Sequence, residues 1–143
     1  MMTEFIWKES FSIGIDEIDK QHQELLKMLN RCIKESEKGK EKSKLAGDDF
    51  NAINEIINEL SAYTDTHFKT EEQLMHSVNY PELKQQQDKH RMLTGQVIQL
   101  KENVSNKEMS AVNSITALLR DWFIEHIMDE DKRIGAYIRS RKE

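Results

Sequence analysis

The chain has 143 residues, 37% of them hydrophobic and 33% charged, with five glycines, one proline and one cysteine; that length suits one domain whose core needs no staples, and so few chain breakers exclude a loop-rich or all-β fold. The formal charge of −5, from 21 Lys and Arg against 26 Asp and Glu, opposes tight binding to nucleic acid or to an anionic membrane. Cys32 is the only cysteine, so an internal disulfide and a thiolate cluster are both ruled out, and any metal site must use nitrogen and oxygen ligands.

The stretch from Met1 to Phe11 carries Glu4, Lys8 and Glu9 and lacks the apolar core of a leader. No run of roughly 18 apolar residues occurs anywhere, so the expectation is a soluble, cytoplasmic protein. After an arm containing Phe5, Ile6 and Trp7, apolar residues recur by threes and fours at Ile15, Ile18, Leu25, Leu29 and Ile33. This spacing predicts helix A from Ile15 or Ile18 to Glu37. Residues 36–49, charged and with Gly39 and Gly47, read as a surface loop in which Asp48 or Asp49 caps the next helix. Helix B carries Ile53, Ile57 and Leu60 in one stripe, continues through Thr64, His67, Glu71 and Leu74, and ends near Met75.

Residues 76–81 read as a turn, with Pro81 at the first position of helix C because it has no amide hydrogen to donate. Helix C extends to about Glu102, with Leu83, Gln86, His90, Leu93, Val97 and Leu100 in its stripe. Ser105 and Glu108 stand three apart as a capping box. They predict a helix D that presents Val112, Ile115, Leu119, Trp122 and His126 on one face. The tail from Arg133, with Gly135, Tyr137 and Ile138, packs back as a short helix. The predicted fold is therefore all-α: an up-down-up-down four-helix bundle over residues 1–143, with an N-terminal arm and a short C-terminal helical tail.

Four of the five histidines fall inside these apolar stripes, one per helix: His22, His67, His90 and His126. A lone histidine on an apolar face is more often a hydrogen-bonded core residue than a ligand. These four, however, lie at matching depths, since a rise of about 1.5 Å per residue along alternating helices brings them to one end of the core. Glu71, one turn after His67, falls on the same face, where a bare carboxylate is costly. Asp131 follows His126 by five residues, which rotates it out of line, so it joins the cluster only if the end of helix D loosens or bulges. Imidazoles and carboxylates converging in a core suit iron, manganese or zinc. Six or seven ligands exceed what one tetrahedral zinc needs and point to two metals.

Three stretches, Ile15 to His22, His67 to Met75 with Tyr80 and Pro81 after it, and His126 to Asp131, together with Trp7, resemble the hemerythrin family, in particular its bacterial single-domain members. The resemblance implies a left-twisted four-helix bundle with two iron ions (Fe2+/Fe3+), joined by a glutamate, an aspartate and an oxo or hydroxo bridge, that binds dioxygen. By position, His22 and His67 would ligate the iron with the open site, Glu71 and Asp131 would bridge, and His90 and His126 would ligate the other iron. The family gives that second iron a third histidine four residues before His90, where this sequence has Gln86. His76, the only spare histidine, lies by the turn and is a poor substitute.

Three outcomes follow. Gln86 ligates through its side-chain oxygen, or it hydrogen-bonds a water or hydroxide at that position, or the second iron binds poorly. The first two are favoured because the rest of the set is intact, and each makes oxidation easier. Two other classes stand beside dioxygen binding: a di-iron redox enzyme acting on peroxide or nitric oxide, and a structural or zinc-binding bundle. The absence of an acid–base residue beyond the ligands favours binding over turnover. Met75, Leu26, Leu93, Trp122 and Phe123 are expected to keep the cluster dry. Asp19 reads as facing water more readily than as orienting a ligand, and Cys32 as a small buried hydrophobe.

Overall fold

A computed structural model describes residues 6–41, 47–106, 117, 120–121 and 129–141. A short 3-10 turn (Glu9–Phe11) precedes α1 (Asp16–Glu41), α2 (Gly47–Ser77), α3 (Leu83–Ser105) and the C-terminal α4 (Lys132–Arg141). Ala117, Arg120 and Asp121 are helical as well, and no strand occurs among the described residues. Contacts along the helices give their directions. Gln21 early in α1 bonds Thr70 late in α2, whereas Arg31 later in α1 pairs with Glu59 earlier in α2. Likewise His90 of α3 meets Glu72, and Ser105 at the end of α3 reaches Asn54. Helix α2 thus runs antiparallel to both neighbours, and the fold is the all-α, up-down-up-down four-helix bundle. None of its described helices is long and apolar enough to cross a membrane.

The helix ends differ from the predicted ones for local reasons. Helix α1 runs to Glu41, past the predicted Glu37, because lysine and glutamate are strong helix formers that carry it through Gly39. The predicted loop 36–49 is correspondingly shorter. Ser36 is buried and donates to the Cys32 carbonyl at 2.9 Å. Helix α2 ends in a Schellman cap. Asn79 sits at φ +53°, its N–H bonds the His76 carbonyl, and the Tyr80 N–H reaches back to that of Met75. Pro81 and Glu82 remain in the turn that follows, so α3 opens at Leu83 rather than at the proline. The predicted capping box of Ser105 and Glu108 lies partly outside the described residues. Ser105 itself is the last residue of α3, and its hydroxyl donates to Asn54 Oδ1 at 3.2 Å. Glu108, Val112, Ile115, Leu119, Trp122, Phe123 and His126 lie outside the described residues.

Asp19 does not simply face water. It accepts from Ser12 Oγ at 2.6 Å and from the Ile13 N–H at 2.9 Å, which ties the arm to α1. Ser12 Oγ in turn accepts from the N–H of Gly14, whose φ of +80° only glycine adopts readily. The arm so held presents Ile13 to α4 at Gly135, and the two segments approach closely: a Cβ on Gly135 would lie 2.6 Å from the Ile13 carbonyl oxygen and 2.9 Å from its Cβ.

The apolar core has two parts. The larger joins Leu25, Leu29 and Ile33 of α1, Ile53, Ile57 and Leu60 of α2, and Val97 and Leu100 of α3. The smaller joins Met75, Tyr80, Ile134 and Ile138 at the other end. Along each helix a band of buried polar side chains lies between them: His22 on α1, His67 and Glu71 on α2, Gln86 and His90 on α3.

Two glycines should therefore respond oppositely to alanine. Gly135→Ala forces backbone atoms apart and should lower unfolding stability by about 1–3 kcal/mol. Gly95→Ala, on an exposed stretch of α3 with nothing within 4 Å of the new methyl, should raise it by up to about 1 kcal/mol. Chemical denaturation of the two variants measures both signs.

Candidate metal centre

His22 sits about two turns into α1, and His67 and Glu71 follow one another by a turn near the end of α2. Asp131 comes from neither of these helices. It closes a π-helical turn at residues 129–131 that leads into α4. This wider turn is a local loosening of the kind the sequence required of Asp131, whose carboxylate is buried. One ligand-type atom from each of His22, His67, Glu71 and Asp131 lies within 4.8 Å of the others. None of the four exposes more than 1% of its surface.

Within the cluster, His22 Nε2 donates to Asp131 Oδ2 at 2.7 Å and His67 Nε2 lies 3.3 Å from the same oxygen. His67 Nε2 is also 2.6 Å from Glu71 Oε1. The two rings meet edge to face with centroids 4.8 Å apart. Burial alone pulls the His67 pKa down, but the Glu71 and Asp131 carboxylates outweigh it and hold the ring's pKa up at about 9, against an ordinary 6.5. The metal-free cluster thus keeps a proton between its carboxylates. Two imidazoles and two carboxylates pointing at a common space, already accommodating a positive charge there, fit a divalent cation of the iron, manganese or zinc kind.

The other predicted ligands are placed differently. His90 and Gln86 are both buried on α3, one turn apart, and His90 is outside the set of four that converges within 4.8 Å. His90 stacks flat on Phe68, centroids 3.9 Å apart, and its Nδ1 donates to Glu72 Oε2 at 2.9 Å. Gln86 exposes 2% of its surface, and its carbonyl oxygen Oε1 is buried without a hydrogen-bond partner. His76 is exposed near the end of α2, and His126 lies outside the described residues. Met75, Leu26 and Leu93 are buried or partly buried in the core on either side, as expected. Cys32 is buried in the larger cluster, where loss of water, with Glu35 nearby, pushes its thiol up to about 12 and leaves it inert as a nucleophile.

Two residues with no predicted role touch the site. Gln21 Oε1 accepts from His67 Nδ1 at 2.8 Å, and Glu72 holds His90 as described. Each directly follows or precedes a predicted ligand in the sequence, which places it on the flank of its helix beside the neighbouring one; that adjacency was the available signal. Farther out, Lys89 donates to Glu130 Oε1 at 2.5 Å, tying α3 at His90's neighbour to the turn that carries Asp131.

The Hemerythrin HHE cation binding domain matches the chain over residues 13–138. A bacteriohemerythrin of Clostridium acetobutylicum is 30% identical over 135 residues, covering 90% of this chain and 96% of its own. One from Stenotrophomonas maltophilia is 25% identical, covering 97% and 84%. A crystal structure of a hemerythrin variant shares the fold at 22% identity, with a TM-score of 0.77 over 96% of this chain and 98% of that one.

Since the His67 proton occupies the space a cation would take, binding must release it. Affinity for a divalent cation should therefore increase with pH through neutrality and level off above about 9. In the metal-free protein the sign is reversed. A raised folded-state pKa gives stability that is full below about 6.5 and lost as pH rises through about 9. Metal titration and chemical denaturation across that range check the two slopes.

Proposed function

The chain belongs to the hemerythrin family, and from that premise we propose that it is a non-haem di-iron protein that binds dioxygen. The observation that carries this reading is the convergence of His22, His67, Glu71 and Asp131, drawn from α1, α2 and the turn before α4, in a space closed to solvent. In this reading His22 and His67 hold one iron, Glu71 and Asp131 bridge, and His90 and His126 hold the second, with Gln86 at the remaining position. Ferrous iron, when bound, supplies the electrons and the coordination position that dioxygen binding uses.

The chain's own residues supply the environment. The apolar clusters on both sides keep water out and admit an apolar gas. Phe68 fixes the plane of His90, and Glu72, by accepting its Nδ1 proton, turns Nε2 away from solvent and strengthens the ring as a donor. Gln86 offers a buried carbonyl oxygen in place of an imidazole nitrogen, a weaker donor that also welcomes a water. This feature supports a second reading, in which the centre is oxidised readily and turns over peroxide or nitric oxide.

Anaerobic loading with ferrous iron tests the proposal. Two irons per chain and reversible oxygen uptake are expected, and Glu71→Ala should lose most of the iron. Iron-loaded protein that consumes peroxide or nitric oxide with a reductant, but takes up no oxygen reversibly, would replace the first reading by the second. A chain that retains only zinc would sink both. Gln86→His should slow air oxidation of the reduced, iron-loaded protein about tenfold or more, as read from the visible spectrum; an unchanged rate would remove Gln86 from the account.

A further inference from the structure

We infer that Gln21, with Thr70 behind it, is a positioning residue that fixes the tautomer of His67 and thereby aims its Nε2 lone pair at the metal. The inference rests on the metal centre proposed above, and it follows from a chain of hydrogen bonds with one consistent direction.

Thr70 has a single hydroxyl hydrogen, and Thr70 Oγ1 lies 3.0 Å from the Thr66 carbonyl, which can only accept. That hydrogen is therefore committed, and toward Gln21, 3.1 Å away, Thr70 Oγ1 is an acceptor. The Gln21 group that faces Thr70 must then be the amide NH2. Its other arm, 2.8 Å from His67 Nδ1, must be the carbonyl oxygen. A carbonyl accepts only, so Nδ1 carries the proton. With Nδ1 protonated, the lone pair of the neutral ring is on Nε2, the nitrogen that faces Glu71 and Asp131.

Each link removes one freedom. Without Thr70 the Gln21 amide could turn over and present NH2 to the ring, which would favour the opposite tautomer with its lone pair turned away from the cluster. Without Gln21, His67 would lose the Nδ1 bond that orients its ring. The geometry also separates Gln21 from Glu72, which holds His90 in the same manner but with a charged acceptor at a half-exposed position. Gln21 is buried and neutral, so it sets orientation without adding a third negative charge beside Glu71 and Asp131.

The test uses the full chain and four proteins: wild type, Gln21→Met, Gln21→Glu and Thr70→Val. Cobalt(II) titration reads affinity, and nitrogen-15 spectra of the zinc-loaded protein read the protonation of each His67 nitrogen. Gln21→Met, which keeps volume and loses the acceptor, should weaken cobalt binding about 10–100-fold, and a second His67 population protonated on Nε2 should appear. Gln21→Glu should restore binding to within a few fold of wild type, because a carboxylate accepts from Nδ1 whichever way it turns. Thr70→Val should fall between. Wild-type affinity and an unchanged tautomer in Gln21→Met overturn the inference while leaving the metal centre standing. Equal losses in the Met and Glu variants make Gln21 a packing residue and also overturn it. A wild-type chain that binds no cobalt overturns the metal centre itself, and the inference with it.

Discussion

Two carboxylates, Glu71 and Asp131, sit side by side in a core that excludes water, and a positive charge between them offsets their repulsion. Their repulsion and lost hydration would otherwise cost several kcal/mol per group. In the metal-free chain His67, in hydrogen-bond range of Glu71 and close to Asp131, provides that charge by keeping its proton. A cation can take over this role with gain, because it interacts with both carboxylates and both imidazoles at once. The same demand explains why the polar band is enclosed by apolar clusters at either end: the attraction is strong only where water cannot screen it.

Bringing Asp131 to that place shapes the C-terminal part of the molecule. Asp131 closes the π turn at 129–131, and its carboxylate is buried. Such a turn needs support. Lys89 holds it from α3 through Glu130, and α4 is seated by Ile134 and Ile138 in the smaller apolar cluster. Ile13 meets α4 at Gly135, and Asp19 anchors the residues that precede α1. Arm, first helix and last helix are thereby joined around one acidic side chain.

Much of this was legible in the sequence because it is periodic. The stripes of α1, α2 and α3 gave the helices, and the depths of His22 and His67 along them placed both residues and Glu71 at one level. Helix ends were less legible, since they turn on single hydrogen bonds: the cap at Asn79 displaced the start of α3 from Pro81, and Ser105 at the end of α3 bonds Asn54. Asp131 could be placed only conditionally, because a bulge leaves no periodic trace. Gln21 and Glu72 stood in full view inside the family motifs, yet their roles depend on which neighbouring helix they face, a matter of tertiary packing that spacing within one helix does not encode.

The bond between His22 and Asp131 joins residues 109 positions apart. Closing so long a loop costs conformational entropy that contacts within a single helix do not incur, so this bond depends on the fold of the whole chain. A cation held by these two side chains would therefore sense the closure of the entire chain and not the state of any one helix. Binding and unfolding would then be linked, and a cation bound only by the folded chain would stabilise the bundle as a unit.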